Sequence, residues 1–123
     1  MSFYESIVII RQDVSSIDVD KIANDLKKIV TDLGGEVVKT EYWGLRQLAY
    51  EINNNRKGHY YFMGIKANNA LLAELDRRIK LSESIIRSSI VKVDHISQEP
   101  SALLRSSNTL GEENIIDVTS VRE

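Results

Sequence analysis

Residues 34–67 read GGEVVKTEYWGLRQLAYEINNNRKGHYYFMGIKA, and this stretch decides the fold. Gly34-Gly35 stops the helix before it, because glycine enters a left-handed C-cap at no steric cost. Glu36 to Ile52 has β character throughout, with Gly44 in its middle. An interior glycine marks a bulge or bend, so we read one long bent strand. Asn53-Asn54-Asn55-Arg56-Lys57-Gly58 is polar and turn-prone, a hairpin loop, and His59 to Ala67 returns as the next strand.

Working outward, Val19, Ile22, Ala23, Leu26, Ile29, Val30 and Leu33 recur at three- and four-residue steps, one apolar stripe on a helix. Ser15 with Asp18 three places on resembles a capping box at its start. Before it, Phe3 to Ile10 is aromatic and β-branched and reads as a strand. On the other side, Asn68 or Asn69 caps a second helix to about Leu81, with Leu71, Leu72, Leu75 and Ile79 as its buried stripe. Ser84 to Asp94 closes with a fourth strand. The order is βαββαβ, and right-handed crossovers place both helices on one face of an antiparallel sheet ordered 4-1-3-2. This is an α+β, ferredoxin-like two-layer sandwich over residues 1–96. Residues 97–123, with the single proline and no long apolar periodicity, read as an acidic tail without its own core. Ile115, Ile116, Val118 and Val121 are a candidate docking segment within it.

Composition narrows the function. The 123 residues contain no cysteine, which excludes disulfides and Cys-based metal or thiol chemistry. No apolar run approaches a membrane span, and the start Met-Ser-Phe-Tyr-Glu lacks a basic leader region, so no membrane association is expected and the cytoplasm is the default. The net charge of −2 is unevenly held: residues 1–96 carry 14 Lys/Arg against 13 Asp/Glu, and residues 97–123 carry 2 against 5. The histidines, His59 and His95, lie far apart in sequence with no nucleophile constellation, Gly-rich phosphate loop or metal-ligand spacing around them. The reading is no enzyme, no metal, no cofactor and no small-molecule substrate. Acylphosphatases share this topology, but the turn Arg11-Gln12-Asp13-Val14-Ser15-Ser16 has no glycine for an anion cradle.

The central strands do not alternate. Ile7-Val8-Ile9-Ile10 and Tyr60-Tyr61-Phe62-Met63 are apolar at both parities, so the face away from the helices is expected to need a cover from outside. RNA-recognition modules use this topology, with stacking aromatics on strands one and three. Here Lys57-Gly58-His59-Tyr60-Tyr61-Phe62 matches their third-strand signature only in part, since His59, Tyr60 and Gly64 occupy the wrong positions.

Trp43-Gly44-Leu45-Arg46-Gln47-Leu48-Ala49-Tyr50 closely resembles the signature of the bacterial small-subunit ribosomal protein six family. Tyr4-Glu5, Gly58-His59-Tyr60-Tyr61, Ile85-Ile86-Arg87-Ser88 and Val91-Lys92 fall in matching order, and the resemblance spans residues 2–96. It implies a non-catalytic role, binding the central domain of small-subunit rRNA as a heterodimer with ribosomal protein eighteen. It also implies that Glu41, Trp43, Leu45, Arg46 and Leu48 face that protein partner. Replacing Trp43 and Arg46 together is then expected to impair partner association more than folding. For RNA, the expected phosphate contacts are Arg87 and Lys92 on strand four and Arg56 and Lys57 in the hairpin. Tyr4 and His59 complete the set, with packing as the alternative for Tyr4. Ser2-Phe3 stands where relatives often carry a basic residue, and Glu51 where they usually have proline. So few net positive charges require the partner's charge for RNA binding. The competing reading is a homo-oligomeric ferredoxin-like protein-binding or regulatory module that closes the sheet with a second copy.

Overall fold

The computed structural model describes residues 1–52 and 54–97. The elements run β1 (Ser2–Arg11), α1 (Ser16–Asp32), β2 (Glu36–Ile52), β3 (Asn55–Ala67), α2 (Asn69–Leu81) and β4 (Ile85–Val93). The sheet is antiparallel in the order β2-β3-β1-β4, with β1 and β3 central. This is the ferredoxin-like arrangement expected. The proposed docking segment at residues 115–121 lies outside the described residues.

Local chemistry explains the element ends. The Ser15 hydroxyl accepts from the Asp18 amide at 3.2 Å, one half of the capping box, and Asn68 Oδ1 accepts from the Leu71 amide at 2.8 Å. Past α1, Gly34 takes φ +89° and the Gly35 amide donates to the Val30 carbonyl at 2.9 Å. In β2, Gly44 takes φ +92° at a bulge between Tyr42 and Gly44. An extra residue there shifts the phase of everything downstream. The hairpin differs from expectation: β3 begins at Asn55, so Arg56, Lys57 and Gly58 are strand residues, with Lys57 and Gly58 paired to Gln47 and Arg46 of β2. Asn54, at φ 67°, makes the turn much shorter than a six-residue loop. Asparagine tolerates that conformation better than most side chains, and this shortens the reversal.

Both helices pack on one face. Val8 and Ile10 of β1, Tyr61, Met63 and Ile65 of β3, and the stripes Val19, Ala23, Leu26, Val30 and Leu71, Leu75, Ile79 form the main core. The opposite face has its own cluster: Ile9, Trp43, Leu48, Tyr60 and Phe62, flanked by Ile7, Ile52 and Ile86. That face was expected to stand open for an outside cover. Instead Tyr60 is 0% exposed and Ile9 and Phe62 are buried. Part of the cover comes from the chain itself. The Trp43 ring stacks on Phe62 with centroids 5.5 Å apart and planes 11° apart. Tyr50 on one edge strand and Arg87 on the other meet with the guanidinium 5.8 Å from the ring centroid. Their backbones are separated by three strand spacings, about 14 Å, so the two side chains reach toward each other over the sheet. A sequence pattern reports apolar residues at both parities, but not long side chains lying down over them. No described helix is long and apolar enough to cross a membrane.

Candidate functional site

β2 is an edge strand, and its bulge sorts the five residues expected to face a protein partner. Glu41 lies opposite Phe62, and Arg46 opposite Gly58. From Lys39 to Trp43 odd residues point away from the helices; from Gly44 to Leu48 even residues do. Glu41, Trp43, Arg46 and Leu48 therefore share the helix-free side, while Leu45 points to the helix side opposite His59. Trp43 is 8% exposed, and its indole N–H donates to Glu41 Oε1 at 2.8 Å. Buried Glu41 pairs with the mostly covered Lys39 at 3.3 Å. Leu48 is buried as well. Arg46, half-buried, donates from Nε to the Trp43 carbonyl at 2.9 Å, and its Nη2 is buried without a partner among the described residues. Of the five, Leu45 is openly offered, at 47% exposure. Trp43 is thus packed inside this fold, stacked on Phe62. The exposed aromatics of this strand are Tyr42 (43%) and Tyr50 (47%). Neither was among the selected residues, because only the position of the bulge tells which parity faces out.

The RNA candidates divide by location. Arg56 and Lys57 are exposed, and neither forms an ion pair among the described residues. Their backbone is held by Gln12 of the β1–α1 turn, whose Oε1 accepts from the Arg56 amide at 3.3 Å and the Lys57 amide at 3.0 Å. The Gln12 amide donates to Asn55 Oδ1 at 3.2 Å, and Asn55 Nδ2 donates to the Ile52 carbonyl at 3.2 Å. The cations so stand on a braced hairpin rather than a loose loop. Sequence reasoning missed Gln12, since a glutamine in a turn leaves no periodic signal. A groove of about 660 Å³ runs between turn and hairpin, lined by Gln12, Asp13, Leu45, Glu51, Asn54, Arg56 and Lys57.

Arg87 lies at the same end of the sheet, since Ile9 pairs with Arg87 and Arg11 with Gly58. Lys92 is exposed but pairs with Tyr4, five residues further along β4, which is about 17 Å away. Arg56 and Lys57 are neighbours in the hairpin, Arg87 lies toward the same end of the sheet two strands away, and Lys92 lies at the other end. Tyr4 is buried in the helix-side core, so its alternative reading as a packing residue is the one its position favours. His59 is also buried on the helix side, where Nδ1 lies 2.8 Å from the Tyr42 hydroxyl and the rings stack at 6.0 Å. Burial, and next the Asp20 carboxylate, raise the Tyr42 pKa. The imidazole tautomer sets which of the Tyr42 hydroxyl and Nδ1 donates, and Nε2 is buried with no partner among the described residues. His59 is a packed, hydrogen-bonded side chain in this fold. Tyr60 and Phe62, the aromatics an RNA-recognition module would stack on bases, are covered.

Among the described residues no group of three or more His, Cys, Asp or Glu could hold a metal ion. The site is a set of cations and an apolar edge, which can bind and position but offers no acid–base or nucleophilic pair.

Comparison with known proteins agrees with this geometry. A family model described as Ribosomal protein S6 matches residues 3–92. The chain is 55% identical over 121 residues to the small ribosomal subunit protein bS6 of Rickettsia prowazekii (strain Madrid E), covering 97% of this chain and 98% of that one. It is 52% identical over 120 residues to the protein of that name from Rickettsia canadensis (strain McKiel), covering 97% and 98%. The crystal structure of 30S ribosomal protein S6 from Thermotoga maritima is similar in fold, with a TM-score of 0.72 and 28% identity over 75% of this chain and 87% of that chain. From the octapeptide, the sheet order and these relatives together, the chain belongs to the ribosomal protein S6 family, whose members are structural and not enzymatic.

Proposed function

We propose that this chain is a structural constituent of the small ribosomal subunit that contacts central-domain small-subunit rRNA through Arg56, Lys57 and Arg87, cooperatively with ribosomal protein eighteen bound along β2. Membership of the family carries the coarser part: a non-catalytic ribosomal component, in the cytoplasm with the ribosome. The observation that best supports the finer part is the braced pair Arg56 and Lys57, exposed and without ion pairs among the described residues. Phosphate contacts of this kind position a protein on RNA without reading sequence. Lys92 is a separate phosphate candidate: opposite Tyr4, it lies at the other end of β4 and on the helix side, whereas Arg87, opposite Ile9, lies on the helix-free side.

Few cations mean few released counterions and weak binding alone. The test is rRNA-fragment binding with and without ribosomal protein eighteen. Tight binding only with both proteins present is expected; equal affinity with and without the partner overturns the cooperative reading. Recovery of tagged protein only outside small subunits on sedimentation overturns the ribosomal one.

The partner surface has its own test. Leu45 is half exposed, so Leu45→Asp is expected to change stability by no more than about 0.5 kcal/mol. Partner association is expected to weaken at least about tenfold, the effect of a charge placed in an apolar contact. Calorimetry on the variant with and without the partner separates the two; a stability loss with no change in association contradicts the assignment. The homo-oligomeric alternative rested on an uncovered sheet, and the buried Ile9, Tyr60 and Phe62 remove that motive.

A further inference from the structure

Among the described residues the exposed aromatic side chains are Tyr42 at 43% and Tyr50 at 47%, both on edge strand β2. Their electrostatic surroundings are opposite. The Tyr42 ring is stacked on His59 and hydrogen-bonded to it, and the Asp20 carboxylate acts on its phenol. A carboxylate beside a ring repels any ligand that carries phosphate. Tyr50 instead has the Arg87 guanidinium 5.8 Å from its ring centroid, on the helix-free side where Arg87 lies opposite Ile9. The backbone of Tyr50 falls between the pairs Gln47–Lys57 and Ile52–Asn55, so it belongs to the hairpin end that carries Arg56 and Lys57. None of these three cations forms an ion pair among the described residues.

An exposed ring bordered by uncompensated cations is the chemistry that holds single-stranded nucleic acid: the ring takes the π-face of a base, and the cations take phosphates. A base inside a duplex has both faces occupied by its neighbours, so only an unpaired nucleotide offers such a face. The aromatics of the central strand do not serve, since Tyr60 is 0% and Phe62 4% exposed. We propose that Tyr50 is a base-stacking residue: it takes the face of one unpaired rRNA nucleotide, with Arg87 holding the adjoining phosphate. The site rests on the rRNA reading above and adds selectivity to it. Phosphate contacts position the chain on any RNA, whereas a stacking ring requires a nucleotide that has left its helix. Arg87 serves both groups, because a planar guanidinium lies against a ring and still presents N–H donors at its rim.

The test is binding of the full chain, with ribosomal protein eighteen present, to a central-domain rRNA fragment across a salt series. Tyr50→Leu is expected to weaken binding roughly 5–20-fold, the lower part of the range for one base on one aromatic ring. The slope of log affinity against log salt should stay as it is, because no charge is removed. Tyr50→Phe keeps the ring and should bind within about twofold of the unaltered chain. With 2-aminopurine placed at the unpaired positions of the fragment in turn, one position should be quenched by the unaltered chain and not by Tyr50→Leu. Unchanged affinity in Tyr50→Leu, or equal loss in Tyr50→Phe, overturns the stack. So does an equal loss of association with ribosomal protein eighteen when RNA is absent, which makes Tyr50 a protein contact. An unchanged Tyr50→Leu beside a flattened slope in Arg56→Ala with Lys57→Ala removes the stack alone and leaves the rRNA reading standing. Failure of the unaltered chain to bind the fragment removes both.

Discussion

Trp43→Ala is expected to cost about 3–5 kcal/mol of stability, the range for truncating a buried tryptophan. Three losses coincide at this position. The stack on Phe62 disappears, the void is lined by Leu48, Tyr60 and Phe62, and Glu41 Oε1 loses its indole donor in a buried site. Against a total of about 5–15 kcal/mol for a domain of this kind, that is a large fraction. Urea or thermal unfolding checks it; a change below about 1 kcal/mol would show that Trp43 is not anchored and return it to the surface. The result matters for function because the single tryptophan was expected to act mainly on a partner. Because Trp43 is buried, a Trp43 and Arg46 double variant is expected to lose stability as well as association, whereas Leu45→Asp changes a half-exposed position and reads association more directly.

Arg56→Ala with Lys57→Ala is expected to be the most damaging surface change for RNA. If each cation neutralises one phosphate, losing both flattens the slope of log affinity against log salt by about 2 and weakens binding roughly 10–100-fold at moderate salt. Stability should change by less than about 0.5 kcal/mol, because both side chains are exposed and the amides that Gln12 holds remain. Filter binding across a salt series, with ribosomal protein eighteen present, reads both effects. An unchanged slope means that these cations touch solvent rather than phosphate. Lys92→Ala, about 17 Å from Arg87, should lower the slope independently and additively if the RNA spans the sheet.

The elements were legible because their signals are local. The stripe Val19, Ala23, Leu26, Val30, the caps Ser15 and Asn68, and Gly34 at the end of α1 each act within a turn or two of chain, and each does what its residue type dictates. The bend at Gly44 was legible for the same reason. Which side chains that bend turns outward was not. A bulge at Tyr42/Gly44 puts Trp43 and Arg46 on one side and Leu45 on the other, and without it Leu45 and Arg46 would exchange faces relative to Trp43. The hairpin cations were also found as residue types, yet as members of a loop. Their attachment to Gln12, 44 and 45 residues away, comes from a contact between distant segments.

By itself, then, the sequence determined the βαββαβ order, the layer each helix joins, the family and the cations available to it, since periodicity, caps and motif residues are properties of neighbours along the chain. Tertiary structure alone decided that the second sheet face is covered, that Trp43 and His59 are interior, and that Ile96 closes over Gly64. Those outcomes depend on long side chains and the segment after β4 meeting across strands, and such distances are set by register and twist rather than by spacing in sequence.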